Sequence, residues 1–103
     1  MDDNHKKLIN ILSMAACANK IISGDFAISK AAEKNIVKLI IIAADTAEKT
    51  RFEYNKIAVK YNIPIFHLSI DKESLGKCIG KNERAAAAVC DEGFAKAINK
   101  ILK

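Results

Sequence analysis

The sequence predicts an α/β fold: a three-layer α/β/α sandwich of four short strands and five helices. Apolar residues at helical spacing alternate along the chain with short, continuously apolar runs, and glycines mark several of the changes between them. Half of the 103 residues are hydrophobic, with one proline and four glycines. We therefore expect one globular domain over residues 1–103.

The first third of the chain predicts two helices around a short strand. Ile21-Ile22-Ser23 is the strand candidate, and Gly24 permits the turn after it. Asp25 to about Asn35, rich in alanine and lysine, predicts the second helix. The first helix is expected over about residues 4–19, from an apolar stripe of Leu8, Ile11, Leu12 and Ala15.

Residues 38–44 predict the centre of the sheet, because after Lys38 this run is continuously apolar, as in a strand buried on both faces. Asp45, with Glu48 three residues later, predicts the cap of a third helix that Pro64 stops. Its inward stripe is expected to be Ala47, Thr50, Tyr54, Ile57, Ala58 and Tyr61.

The last third predicts strand, helix, strand, helix. Residues 65–69 are expected to form a second inner strand, followed by a short helix from Asp71 and Glu73 to near Gly80. Residues 86–90 are alanine-rich, yet the short connection before them favours a strand that overrides helix propensity. A final helix carries the pattern Phe94, Ala97, Ile98, Ile101 and Leu102.

The charge balance favours a phosphate-rich partner. Seventeen basic and twelve acidic residues give a net charge of +5 and a sequence pI near 9.2. Clustered lysines and arginines gain affinity for nucleic acid by releasing counterions from its phosphates. Charge supports this partner only if it falls on one face of the fold.

The three cysteines, Cys17, Cys78 and Cys90, are far apart and have no spacing typical of a zinc site, so we expect reduced thiols and no bound metal or cofactor. The N-terminus is too acidic for a secretory signal, and no apolar run approaches the length of a membrane span. A cytoplasmic location follows as an expectation.

Two glycine-marked loops flanked by bases are the strongest functional candidates: residues 24–30 and 75–84. The helix N-terminus after Gly24 offers free N–H groups to a phosphate, although Asp25 would repel one. Lys30 and Lys34 share a helical face, and other cations from neighbouring segments extend a basic rim: Lys20, Lys38, Lys77, Lys81 and Arg84. The alternative is a solvated, solubilising face.

Three more residues in these loops have two interpretations each. Phe26 could stack on an unpaired base, but we favour a buried helix anchor because a core with six aromatics needs them. Arg84 could contact a phosphate or a base edge, or belong with Glu83 to a charged turn. Asn82 could contact a base edge or cap its turn.

A resemblance rests on the order of these segments. Residues 24–31, the strand 38–45, the strand after Asn62-Ile63-Pro64, and Leu75-Gly76-Lys77-Cys78-Ile79-Gly80 before an alanine-rich strand resemble the kink-turn-binding ribosomal-protein superfamily (L7Ae/L30e-like). Within it the chain is most similar to the bacterial YlxQ-type group of ribosomal-protein-like RNA-binding proteins. The resemblance spans about residues 15–102.

The resemblance implies an α/β/α sandwich with an RNA surface made of the turn and helix at Gly24 and the loop after Gly80. Lys30 would match a family lysine that approaches the RNA, and Gly24 would let the backbone come close. The chain departs from the archaeal and eukaryotic kink-turn readers, which carry Asn-Glu where it has Phe26 and Ala27.

We therefore predict a non-catalytic protein that binds structured RNA, ribosomal or messenger, as a monomer and without a cofactor. One alternative is a protein-interaction module that docks on ribosomal or transcription machinery, marked by exposed apolar residues near Phe52 or Phe26. Another is a cysteine-dependent enzyme using Cys78, His67 and Asp45, but the spacing of these residues does not support it. Without a catalytic role, His67 on an apolar strand is expected to be a core side chain.

Overall fold

The computed structural model describes residues 3–102, and all five helices and four strands expected from the sequence lie within them. Met1 and Asp2, which belong to the acidic N-terminus, lie outside the described residues. The elements are α1 (Asp3–Cys17), β1 (Ile21–Ser23), α2 (Asp25–Glu33), β2 (Leu39–Ile42), α3 (Glu48–Lys60), β3 (Ile65–His67), α4 (Lys72–Cys78), β4 (Ala86–Val89) and α5 (Glu92–Leu102).

The four strands form one mixed sheet in the order β1-β4-β2-β3. β2 pairs with β3 in parallel, whereas β4 is antiparallel to both of its neighbours. One expectation was wrong: β3 is an edge strand and not an inner one. After α4 the chain returns to the end of the sheet where β1 and β2 finish, so β4 must run in the opposite direction.

Helices cover both faces of the sheet, which confirms the three-layer sandwich. Side chains of α1, α4 and α5 pack against one face, and those of α2 and α3 pack against the other. β2 supplies both cores, because Leu39 and Ile41 face the first group of helices whereas Ile40 and Ile42 face the second. The alternation follows from the period of two in a strand.

The alanine-rich segment is a strand, as predicted against its helix propensity. β4 lies between β1 and β2, so both of its edges are hydrogen bonded. Ala86 and Ala88 are buried toward α2 and α3, and Ala87 and Val89 are buried toward α1 and α5. Pairing on both sides and burial on both faces outweigh the modest preference of alanine for a helix.

Three helices end in the same way, with asparagine two residues beyond the last helical residue. Asn19, Asn35 and Asn62 have φ of 63°, 60° and 56° after α1, α2 and α3. After each asparagine, the next backbone N–H reaches five residues back, as in Lys20 to Ala15 at 2.9 Å and Ile63 to Ala58 at 2.8 Å. These Schellman turns end the first three helices earlier than predicted, and Asn62 rather than Pro64 ends α3.

Candidate nucleic-acid interface

Three connections meet at one end of the sheet and form what we call the loop edge: residues 23–26, 43–47 and 80–85. They meet because β1 and β2 end where β4 begins, with Ser23 opposite Ala87 and Ile42 opposite Ala86. Both glycine-marked loops of the sequence therefore contribute to the same edge. The connection from β2 to α3 was not among the residues predicted to bind RNA.

Arg84 joins the two glycine-marked loops. Its Nε donates a hydrogen bond to Ser23 Oγ at 3.1 Å, across 61 residues of sequence. Its Nη1 donates to the carbonyl oxygens of Asn82 at 3.3 Å and Glu83 at 2.9 Å. Its backbone N–H donates to the carbonyl of Lys72 at 3.0 Å, at the start of α4. Arg84 thus holds the shape of the loop edge.

The third connection is tied to the others by its own polar side chains. Thr46, 4% exposed, donates from Oγ1 to the carbonyl of Ala85 at 3.0 Å. Asp45 Oδ1 accepts the backbone N–H of Lys72 at 2.8 Å. The expected capping role of Asp45 was wrong: α3 begins at Glu48 after Ala47, with no side-chain cap, because the Asp45 carboxylate bonds to α4 instead.

The position of the 80–85 loop depends on a close backbone approach at Gly76. A Cβ on Gly76 would lie 2.6 Å from the carbonyl carbon of Asn82 and 2.9 Å from Glu83 Cα. Gly76 O also accepts the backbone N–H of Lys81 at 2.8 Å. Because only glycine leaves room for this contact, α4 and the loop fit together without a side chain between them.

Gly24 and Asp25 set the start of α2. Gly24 has φ of 96° and ψ of 135°, a conformation that favours glycine. Asp25 Oδ1 accepts a hydrogen bond from the Tyr54 hydroxyl, which joins α2 to α3. Burial, together with the hydrogen bond and negative charge of Asp25, raises the pKa of Tyr54 above its ordinary value. The Asp25 carboxylate is therefore bonded within the protein.

Phe26 is 76% exposed, so the expectation that it is a buried anchor was wrong. It lies on the outer side of α2, while Ile28, Ala31 and Ala32 fill the core beneath that helix. Lys30 Nζ lies 5.6 Å from the centre of the Phe26 ring and 3.9 Å from the Glu33 carboxylate. Phe26 thus presents an aromatic surface beside a cation at the loop edge.

The predicted basic residues divide between the two ends of the sheet. Lys81 and Arg84 belong to the loop edge, with Asn82 in the same loop. Lys30 lies in the last turn of α2, beside the Phe26 ring. Lys77, next to Gly76 on α4, is exposed and lies 3.4 Å from Glu73.

Lys34 and Lys38 lie at the opposite end. Lys34 caps the C-terminus of α2, and the Lys38 N–H bonds to Val89 at the far end of β4. Lys20 lies at the same end, because its carbonyl accepts the backbone N–H of Cys90, the residue after Val89, at 2.8 Å. Lys20, Lys34 and Lys38 therefore lie toward the end of the sheet away from the loop edge.

Two of the residues considered for catalysis, His67 and Cys78, differ in their exposure. His67 is exposed on β3, which corrects the expectation of a core histidine. Burial raises the pKa of the Cys78 thiol, which disfavours the thiolate that a nucleophile needs. Within residues 3–102, no three His, Cys, Asp or Glu side chains are grouped to hold a metal ion.

Sequence reasoning missed Ser23, Thr46 and Tyr54, which position the loop edge through hydrogen bonds. Ser23 and Thr46 each lie within three residues of a predicted strand end, where polar side chains usually mark connections. That pattern could have drawn attention to them. Their partners lie 29 to 61 residues away, so the bonds themselves were not visible in the sequence.

The α/β/α sandwich described above is matched by the profile of a family of ribosomal-type proteins. The profile of the ribosomal protein L7Ae/L30e/S12e/Gadd45 family matches residues 6–99. The chain belongs to this family.

Curated relatives cover nearly the whole chain. It is 26% identical over 102 residues to the RNA-binding protein YlxQ of Enterococcus faecium, covering 99% of this chain and 97% of that one. It is 28% identical over 92 residues to the protein of the same name from Bacillus subtilis (strain 168), covering 89% and 91%. The expected similarity to the YlxQ-type group is confirmed.

Solved structures support the fold. A protein of unknown function from Bacillus halodurans C matches with a TM-score of 0.87 and 27% identity, covering 92% of this chain and 95% of that one. The 15.5kD RNA binding protein of Giardia lamblia matches with a TM-score of 0.76 and 19% identity, covering 99% and 87%. At that identity the second similarity concerns the fold alone.

Proposed function

We propose that this protein binds structured RNA through the loop edge, as a non-catalytic, ribosomal-protein-like RNA-binding protein. The observation that carries the proposal is the hydrogen bond from Arg84 to Ser23, which joins the two glycine-marked loops into one preformed surface. A preformed surface suits recognition of RNA by its shape, with phosphate contacts that set the orientation. The names of the YlxQ relatives support an RNA partner.

The contacts that we propose come from backbone and cations. The exposed turn at Gly24 lets the backbone of α2 approach a phosphate, and Lys30, Lys81 and Arg84 supply positive charge nearby. Asp25 opposes an incoming phosphate with its negative charge, but its hydrogen bond to Tyr54 directs the carboxylate toward α3. Lys34 and Lys38 are omitted from this surface because they lie at the other end of the sheet.

The finer identity of the partner follows from the same proposal. We propose a ribosomal or messenger RNA that contains a kink, read by its shape without the Asn-Glu pair, since Phe26 and Ala27 occupy that position. We also propose a monomer, because helices cover both faces of the sheet and its edge strands β1 and β3 have three residues each. A cytoplasmic location agrees with three free cysteines.

The test is a titration against a labelled kink-turn RNA and a variant of equal length with its sheared pairs destroyed, each at two salt concentrations. Tighter binding to the intact kink, with a log-log salt slope of about −3 for three or four phosphates, is expected. Equal binding to both RNAs would refute kink recognition and leave a general RNA surface. Absence of binding to either RNA would overturn the proposed function.

Matched double variants test the assigned surface. Lys30→Ala with Lys81→Ala should weaken RNA binding and make the salt slope shallower by about 2, because two phosphate contacts are lost. Lys34→Ala with Lys38→Ala removes the same charge at the opposite end of the sheet and should change binding far less. Equal losses in the two variants would mean that net charge, rather than the loop edge, governs binding.

A protein-interaction module is the second candidate function, because α3 exposes two large apolar side chains. Phe52 is 61% exposed and Val59 is 82% exposed, and the core requires neither. A protein partner on this surface would predict binding that is insensitive to salt and lost in Phe52→Ser with Val59→Ser. Full RNA affinity in that variant would separate the two functions.

A further inference from the structure

A groove between α2 and α3 begins at the loop edge, and the proposed function assigns no role to it. We call it the α2–α3 groove; its volume is about 320 Å³, and its lining includes Phe26, Ser29, Lys30, Ile57, Lys60 and Tyr61. Both helices begin at the loop edge, since each follows a strand that ends there. From Phe26 to Glu33 the groove runs about 10 Å along α2, at about 1.5 Å per residue.

Two pairs of a lysine and an aromatic ring line this groove. Lys30 Nζ lies 5.6 Å from the centre of the Phe26 ring, and Lys60 Nζ lies 5.4 Å from the centre of the Tyr61 ring. Phe26 is highly exposed, whereas Tyr61 is partly buried against the core beneath α2 and α3. Exposed rings next to cations are the combination with which proteins hold unpaired nucleotides, by base stacking and charge.

We propose that the α2–α3 groove binds a single-stranded segment of RNA that continues from the structured part held at the loop edge. The inference rests on the proposed function and adds a second subsite to it. Phe26 lies at the junction, so it would stack the first unpaired base, and Tyr61 would contact a later one. Lys30 and Lys60 supply charge for the intervening phosphates.

The charges of the groove favour this occupant over an acidic or apolar protein segment. Glu33 is the acidic residue of the lining, and its carboxylate lies 3.9 Å from Lys30 Nζ in an exposed ion pair. Lys60 is a second lysine in the lining, so the lining has a net positive charge. The large exposed apolar residues of α3, Phe52 and Val59, do not line the groove. An apolar partner helix would therefore find its anchors on a different face of α3.

The experiment compares three labelled forms of one kink-turn RNA: without a tail, with an unpaired 5′ tail and with an unpaired 3′ tail, each of about six nucleotides. One tail is expected to increase affinity at least about fivefold, the effect of stacking one base. A fluorescent purine analogue in that tail should be quenched on binding. No gain from either tail would overturn the inference while leaving the proposed function intact.

Matched variants locate the tail. Phe26→Leu and Lys60→Gln should each reduce the affinity gain from the tail, measured as the ratio of tailed to untailed RNA within each variant. The control is Phe52→Leu with Lys56→Gln, an exposed pair with its Nζ 5.4 Å from the ring and outside the groove. That control should keep the full ratio.

Two other results of the tail experiment would also decide between the proposals. Loss of the ratio in the control variant, with no loss in Phe26→Leu and Lys60→Gln, would mean that the tail follows the outer face of α3 and would overturn the groove. If the untailed RNA is not bound by the wild-type protein, the proposed function has failed first. Binding of the untailed RNA therefore separates the two failures.

Discussion

The close contact at Gly76 gives the sharpest prediction about the loop edge. In Gly76→Ala the new Cβ would lie 2.6 Å from the carbonyl carbon of Asn82, whereas carbon atoms normally approach to about 3.5 Å. The carbonyl oxygen of Asn82 would lie closer still, and both atoms belong to the backbone, so the 80–85 loop must move by more than about 1 Å. Lys81 and Arg84 would move with it.

Two opposing terms set the expected stability of Gly76→Ala. Alanine stabilises a helix interior by about 1 kcal/mol relative to glycine, whereas overpacking costs about 1–3 kcal/mol. The net expectation is a loss of about 1 kcal/mol, which lowers the Tm by about 4–8 °C in a domain of this size. Because the loop edge is displaced, the Kd for the kink-turn RNA should rise about tenfold.

Thermal denaturation and RNA titration of Gly76→Ala measure these two effects. The matched control is Gly93→Ala in α5, where the new Cβ would meet only the Asp91 carboxylate, at 3.2 Å. A side chain can yield by a few tenths of an ångström, so this variant should change stability by less than about 1 kcal/mol and leave RNA binding unchanged. A Gly76→Ala protein with raised Tm and wild-type Kd would refute the reasoning.

Three further predictions concern stability. Tyr54→Phe removes the hydrogen bond to Asp25 and should cost about 1–2 kcal/mol in urea denaturation at neutral pH. Because folding raises the pKa of Tyr54 above 10.0, wild-type stability should fall as the pH rises beyond that value, and a variant that falls equally would contradict the assignment. Asn62, with φ of 56°, should accept glycine with little change but lose about 1–2 kcal/mol as Asn62→Val; equal Tm values for the two would exclude backbone strain there. Asp71 accepts the Ser74 N–H, which lowers the pKa of the Asp71 carboxyl, so its stabilisation is present above pH 3.8 and is lost as the pH falls through the lower folded value. Asp71→Asn should show a weaker decline of stability in acid, and an unchanged acid profile would count against this cap.

The order of elements was predictable because most of them carry local signals. The apolar stripes of α1 and α5 have helical spacing, and the continuous apolar run of β2 is typical of a buried strand. The structure confirms all three elements. Even the alanine-rich β4 could be inferred, because too few residues separate it from Gly80 for another helix. Helix ends were less accurate. The turns at Asn19 and Asn35 end α1 and α2 two residues before the ends that we expected, and the turn at Asn62 ends α3 before Pro64.

The candidate interface was only partly visible. The sequence identifies Gly24 as a turn residue and Lys30 and Arg84 as cations near the two glycine-marked loops. The structure brings these two loops together at one end of the sheet. The structure also places Lys34 and Lys38 toward the opposite end of the sheet from Gly24 and Arg84, because helical spacing gives the face of α2 but not the distance of each turn from the loop edge. Whether these residues contact RNA stays a prediction.

The sequence by itself determined the fold class, the family and the basic character of the protein. Hydrophobic periodicity, the positions of glycine and proline, and the charged residues can all be read locally along the chain. Only the tertiary structure decided the antiparallel direction of β4, the exposure of Phe26 and the bond from Arg84 to Ser23. Each of these depends on which segments meet after the chain has folded. A contact between residues 61 positions apart is set by the packing of helices on the sheet, and no local pattern encodes it.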